Sequence, residues 1–191
     1  MLKWLISLDH KLFFAINSFH SEWVDAIMYW VSNKYTWIPL YALFIYLIIT
    51  KFKKKAIIIL ISIILTAILT DQLSDLTKNY FKRLRPSHNP KYENIIHLNK
   101  KIKGGKYGFV SSHAANTAGL ATYLILLPLL RKKIINLFLV FWVLLVGYSR
   151  IYNGLHYPLD VIGGFFLGFF IGIIMIFLTK NVILKKLNLK N

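Results

Sequence analysis

SRIYNGLHYPLDVIGGFFLGFFIGIIMIFLT, residues 149–179, changes character halfway along. From Leu159 to Thr179 the only charged residue is Asp160, and a run of that length and composition is what a bilayer crossing requires, roughly 20 apolar residues. Ahead of it Arg150, His156 and Asp160 crowd together. Neither a lipid-facing helix nor an ordinary polar loop needs that trio, so the stretch reads as a membrane helix with chemistry at its entrance. Within the helix Gly164, Gly168 and Gly172 recur at every fourth position, a small-residue stripe that lets a neighbouring helix approach closely.

Outward from this helix, four more apolar stretches lie near 35–50, 56–76, 113–130 and 134–150. Residues 1–34 are more broken, with apolar residues at helical spacing and polar ones between, as in interfacial amphipathic helices. The expected fold is an all-α integral membrane protein in one domain over residues 1–191: a bundle of five to six transmembrane helices plus N-terminal interfacial helices. The first residues, with Asp9, His10 and Lys11 interrupting them and no small-residue cleavage site, make a poor secretory signal and are expected to remain in the mature protein.

Of 191 residues 57% are hydrophobic, and 24 Lys and Arg face 7 Asp and Glu for a net charge of +17. In a soluble chain that balance would suggest nucleic acid, but the apolar runs argue against it and for anionic headgroups or a phosphate-bearing substrate. There is no Cys, which excludes disulfides, thiolate metal sites and a Cys nucleophile. Counting crossings places Lys51–Lys55, Arg131–Lys133 and the tail with Lys180, Lys185, Lys186 and Lys190 on one side, cytoplasmic by the positive-inside rule. The long loop 77–112 and the short loop 151–158 share the other face. A bacterial inner membrane with the site on its periplasmic side is the expectation.

Three polar clusters meet on that face. In the first, Lys78, Lys82, Arg83 and Arg85 precede Pro86; basic cuffs at helix ends usually only snorkel. Asp71 and Asp75 share a helical stripe with Lys78 and are expected to orient it. In the second, Ser111 and Ser112 precede His113 at the mouth of the third crossing. A Ser there is commonly an N-cap, yet a helix start also offers free N–H groups to an anion. In the third, Pro158 suits the first turn of the last crossing, leaving His156 just outside and Asp160 just inside. That spacing lets the carboxylate reach one imidazole nitrogen, fix its tautomer and free the other. Each cluster alone is unremarkable as structure; together they make an inventory for phosphoryl transfer.

These residues resemble the type 2 phosphatidic acid phosphatases, which share their site with vanadium haloperoxidases. The first motif, Lys, six residues, Arg-Pro, is met by Lys78 and Arg85-Pro86; the third, Ser-Arg, five residues, His, three residues, Asp, by Ser149-Arg150, His156 and Asp160. The second, usually Pro-Ser-Gly-His, stands here as Val110-Ser111-Ser112-His113, and a Ser in place of Gly narrows the backbone's approach to phosphate. The resemblance implies an all-helical membrane fold and metal-independent hydrolysis of a lipid phosphate with no cofactor. It implies that His156 is the nucleophile, Asp160 its support and His113 the general acid, then base. Lys78, Arg85, Ser111, Ser112 and Arg150 would bind the phosphate. Polyprenyl diphosphate, lipid A phosphates and glycerophospholipid phosphates are the expected substrate classes. His88 and His97 in the long loop lack a convincing metal-ligand set. The rival readings are a transporter, which would favour midplane charges and an internal repeat, and a non-catalytic protein that binds anionic lipid through its basic loop.

Overall fold

The computed structural model describes residues 2–92, 94–127 and 132–188. Over these the chain forms α1 (Leu2–Asn17), α2 (Glu22–Ser32), α3 (Ile38–Phe52), α4 (Ala56–Phe81), α5 (Ser112–Leu126), α6 (Lys133–Tyr152) and α7 (Pro158–Asn188). Among the described residues no strand occurs, only an isolated antiparallel bridge between Leu84 and Tyr107. The expected all-helical class is what the chain adopts.

Three stretches are long and apolar enough to cross a membrane: 34–81, 133–152 and 158–182. The first contains both α3 and α4, which pack against each other across the basic turn Lys53–Lys55. The other expected crossing, α5, has 15 residues, fewer than a full span takes; its expected end at 128–130 lies outside the described residues, as do Arg131 and Lys190. The expected loop 77–112 is shorter than its bounds, because α4 continues to Phe81 and α5 begins at Ser112.

The centre of the bundle is α5, which packs against α4, α6 and α7. Its buried residues are mostly small: Ala114, Ala115, Ala118, Gly119 and Ala121. Opposite them run the glycines of α7. A Cβ added at Gly168 would fall 2.1 Å from the Ala115 carbonyl oxygen, and one at Gly164 would fall 2.5 Å from that of Ser111. Lipid tails are as apolar as Leu, so membrane helices are held by close van der Waals packing and hydrogen bonds; this backbone-to-backbone seam supplies the first. From α4 comes a buried hydroxyl stripe, Ser62, Thr66, Thr70 and Ser74. Each of the last three hydroxyls bonds the carbonyl four residues before it, so no polar atom of the stripe is stranded. Bulky side chains such as Ile57, Ile64, Phe141, Phe166 and Phe177 are exposed, the expected lipid-facing surface.

The N-terminal helices form as expected, with several of their polar residues buried against the bundle. Asp9 and Asn17 are buried, while Trp4, Phe19, Trp23 and Trp30 are exposed. Asn17 donates to the carbonyls of His97 and Tyr152 at 2.9 and 2.8 Å and accepts from His97 N–H at 2.9 Å. Asp25 accepts from Tyr152 O–H at 2.7 Å. Polar residues of these helices therefore meet the protein at the end of α6, beside buried Phe13, while several of their large aromatic side chains point outward.

Candidate active site

Four helix ends converge at one end of the bundle. At the first, α4 stops at Phe81 because Lys82 turns left-handed, with φ +48°, and its N–H closes onto the Lys78 carbonyl at 2.9 Å. The reversal turns Arg83 and Arg85 back toward the bundle. Arg85 is extended, as a residue before Pro must be, and its Nε donates to the Tyr107 carbonyl at 3.0 Å. Lys78, in the last turn of α4, donates to Asp75 at 2.8 Å and to the hydroxyl of Ser112. Asp75 is thus the orienting partner expected for Lys78. Asp71 is not; it accepts from Asn116 at 3.3 Å.

Ser111 stands at the N-cap position of α5, but its hydroxyl makes no capping bond. Its backbone N–H donates to the Asp160 carbonyl at 2.9 Å, tying the start of α5 to α7. The buried Ser111 hydroxyl has no hydrogen-bond partner in the protein. With its cap unmade, the first N–H groups of α5 remain available to an anion. His113 sits in that first turn. The N-cap role open to Ser111 is therefore not the one its side chain takes.

At the end of α6, Arg150 is buried and donates to the hydroxyl of Ser32 in α2, while its Nε is unpartnered. Its carbonyl accepts the N–H groups of Leu155 and His156 at 3.1 and 3.2 Å, which turns the short loop so that His156 faces inward, 1% exposed. Gly108 gives this wall its closeness, since an added Cβ would come 2.8 Å from Asp160 Oδ2 and 3.2 Å from Arg85 Cγ. Asp160 Oδ2 accepts the Tyr157 N–H at 3.0 Å and lies 3.5 Å from His156 Nδ1. That last distance is close enough for charge interaction and too long for a good hydrogen bond; His156 Nδ1 makes none.

The positive charges of Arg150, Arg85 and Lys78 reach both imidazoles, His113 and His156. Burial, followed by Arg85 and then Arg150, holds the His156 pKa well below its ordinary value of 6.5. Burial also lowers that of Arg85 from its ordinary value. A neutral imidazole among cations, with unpartnered donors beside it, suits an anionic ligand and a nitrogen nucleophile. All eight residues singled out by sequence, Lys78, Arg85, Ser111, Ser112, His113, Arg150, His156 and Asp160, belong to this one region. His88 and His97 do not gather a metal site. The first lies beside the Ser87 hydroxyl and the second pairs with Asp25, and among the described residues no group of three or more acidic or imidazole ligands forms.

Sequence reasoning missed Asp9, Ser32 and Arg83. Arg83 looked like one more cuff residue; its guanidinium instead donates to Asp160 at 2.7 Å and to Asp9. The available signal was Asp9, one of 7 acids in the chain, because a carboxylate inside an apolar helix must find a partner.

Residues 55–183 match the family model of the PAP2 superfamily. The chain is 36% identical over 186 residues to the lipid A 4'-phosphatase of Bacteroides thetaiotaomicron, an alignment covering 95% of this chain and 81% of that one. It is 30% identical over 188 residues to the undecaprenyl-diphosphatase of Sulfolobus acidocaldarius, covering 95% and 84%. Among solved structures, the crystal structure of LpxE from Aquifex aeolicus is similar with a TM-score of 0.65 at 26% identity, over 88% of this chain and 94% of that one.

Proposed function

The chain belongs to the PAP2 superfamily, and from that premise we propose that it is a membrane lipid phosphatase, hydrolysing a phosphate monoester or diphosphate at a lipid headgroup through a phosphohistidine. The observation that carries this reading is a pair of buried polar atoms without a partner at this end of the bundle, Ser111 Oγ and Arg150 Nε, beside the cations Lys78 and Arg85 and the imidazole of His156. Buried donors are normally satisfied, and a phosphoryl group is the ligand these would satisfy.

In the first step the free ring nitrogen of His156 attacks phosphorus and the bond to the leaving oxygen breaks. His113, carrying a proton once the bound phosphate anion offsets the surrounding cations, gives it to that oxygen, releasing a lipid alcohol from a monoester or a lipid monophosphate from a diphosphate. Asp160 balances the charge of the imidazolium that forms. In the second step neutral His113 takes a proton from water, the water oxygen attacks phosphorus, the P–N bond breaks and phosphate leaves. Negative charge on the transferring oxygens meets Lys78, Arg85, Arg150 and the start of α5, the arrangement that does most of the catalytic work in phosphoryl transfer. No step calls on a metal.

We read α3 to α7 as five crossings, with α1 and α2 lying along the headgroup region and completing a single domain over residues 1–191. The basic segments at Lys51–Lys55 and in the tail favour a periplasmic site in a bacterial inner membrane. The likeness to the lipid A 4'-phosphatase makes a lipid A phosphate the first substrate to assay. The test is a panel of lipid A, polyprenyl diphosphate and phosphatidic acid with wild type beside His156→Ala. Wild type releases phosphate and is inhibited by vanadate, and the variant falls by about 10³-fold or more, the usual loss of a nucleophile. Undiminished release by His156→Ala on every lipid would end this assignment.

A further inference from the structure

Arg83 lies in the same basic run as Lys78 and Arg85, yet it does not join them around the histidines. Its Nη1 donates to Asp160 Oδ1 at 2.7 Å, its Nη2 donates to Asp9 Oδ2, and its guanidinium carbon lies 4.4 Å from the centroid of the Tyr157 ring. Both carboxylates are fully buried, with side chains 0% exposed. The other oxygen of Asp9 accepts the Leu159 N–H, in the first turn of α7, at 2.8 Å. The other oxygen of Asp160 is the one that faces His156. One planar cation thus spans α1 and α7, and α1 lies outside the residues that match the family model.

We propose that Arg83 is a positioning residue for the phosphoryl transfer and that Asp9 completes its seat, so that the N-terminal helix is a working part of the catalytic site. The inference rests on the phosphatase reading above. Guanidinium is always charged and presents its donors in a fixed fork, so Arg83 fixes which oxygen of Asp160 turns toward the imidazole. Asp9, Arg83 and Asp160 together carry one net negative charge, matched to the single imidazolium that forms when His156 takes the phosphoryl group. Without Arg83, two buried carboxylates would face each other and share a proton, leaving Asp160 unable to serve His156. Asp9 also anchors the first turn of α7 from which Asp160 projects.

The experiment measures phosphate release by the full chain in detergent from lipid A, polyprenyl diphosphate and dioctanoyl phosphatidic acid, with kinetics on the lipid cleaved fastest and His156→Ala as the blank. Arg83→Gln lowers kcat by about 10- to 100-fold, the usual cost of losing a partner that orients a site group, while KM stays within about twofold. Arg83→Lys, which keeps the charge and loses the fork, falls between wild type and Arg83→Gln. Asp9→Asn lowers kcat by about threefold. The double variant Asp9→Asn with Arg83→Gln is no slower than Arg83→Gln alone, because removing Asp9 relieves the carboxylate pair; acting through one network, the two changes do not multiply. Wild-type kcat in Arg83→Gln, a loss confined to KM, or multiplying losses would each overturn the proposal. Should Arg83→Gln fail to fold, Asp9→Asn decides: reduced kcat at unchanged KM supports it and unchanged kcat overturns it. A wild-type chain that releases no phosphate from any of the three lipids sinks the phosphatase reading as well, whereas an active wild type with an unaffected Arg83→Gln sinks this proposal alone.

Discussion

The carboxylate of Asp160 stands 3.5 Å from Nδ1 of His156, while its closer partners are Arg83 at 2.7 Å and the Tyr157 N–H at 3.0 Å. Before reaction the imidazole is therefore not drawn into a tight ion pair. It is neutral, buried and surrounded by cations, which keeps its lone pair available. The carboxylate is held one short movement away, where, on the proposed mechanism, it gains most once a phosphoryl group has made the ring positive.

This arrangement fixes the sign of a pH effect. The groups bearing on His156 are the cations Arg85, Arg150 and Lys78 and the carboxylate of Asp160, and its pKa lies well below 6.5, first through burial and then through Arg85. As the proposed nucleophile, His156 with its lowered pKa stays deprotonated as the medium becomes more acidic. The acid limb of kcat/KM due to His156 accordingly falls below the ordinary imidazole range. Arg85→Gln removes the cation with the largest effect, so protonation becomes easier and that limb moves to higher pH. The same change is expected to cost about 10²–10³ in turnover through loss of the phosphate contact proposed for Arg85. A pH profile of both proteins checks the direction; a limb moving to lower pH would contradict the arrangement.

Ser111 separates activity from stability. Its hydroxyl is buried and bonds nothing in the protein, so Ser111→Ala removes no internal hydrogen bond and leaves the unfolding free energy within about 0.5 kcal/mol of wild type. If the hydroxyl serves the phosphoryl oxygens, turnover falls by about 10- to 100-fold. Calorimetry in detergent beside a phosphate-release assay reads both.

The seam between α5 and α7 should tolerate no methyl group. Gly168→Ala places a Cβ 2.1 Å from a backbone oxygen, which cannot rotate away as a side chain could. The expected loss is about 2–3 kcal/mol, the range for overpacking a tight core. Gly105→Ala is the control, because nothing lies within 4 Å of its added Cβ. Urea or thermal unfolding of the two variants in the same detergent makes the comparison.

Asn17 gathers three hydrogen bonds linking α1 to the long loop and to the end of α6. Asn17→Ala leaves two carbonyls and one N–H without their partner, at an expected cost of about 2–4 kcal/mol. Because Tyr152 follows Arg150 by two residues, phosphate release should decline along with the melting temperature.

Much of this molecule could be read directly from the chain. Long apolar runs announce themselves by composition, and the spacing of Arg150, His156 and Asp160 forces them together once Pro158 starts a helix. The glycine stripe likewise has one physical use. What stayed hidden depended on partners distant in sequence. Arg83 and Arg85 are indistinguishable as letters, and only the left-handed turn at Lys82 and the return of α1 send one to Asp160 and Asp9 and the other to the Tyr107 carbonyl. The amphipathic pattern of residues 1–34 was visible, but periodicity does not say which face meets water. The face that meets protein mixes Asp9 and Asn17 with Phe13, while Lys3 and Lys11 stay exposed.

The interlocked backbones at Gly168 and Ala115 leave no play between the rods that carry Asp160 and His113. On the proposed mechanism, a change in bilayer thickness is then expected to tilt the two helices together rather than shift Asp160 against His113, so the surrounding lipid would act on how often a headgroup arrives more than on how fast it is cut.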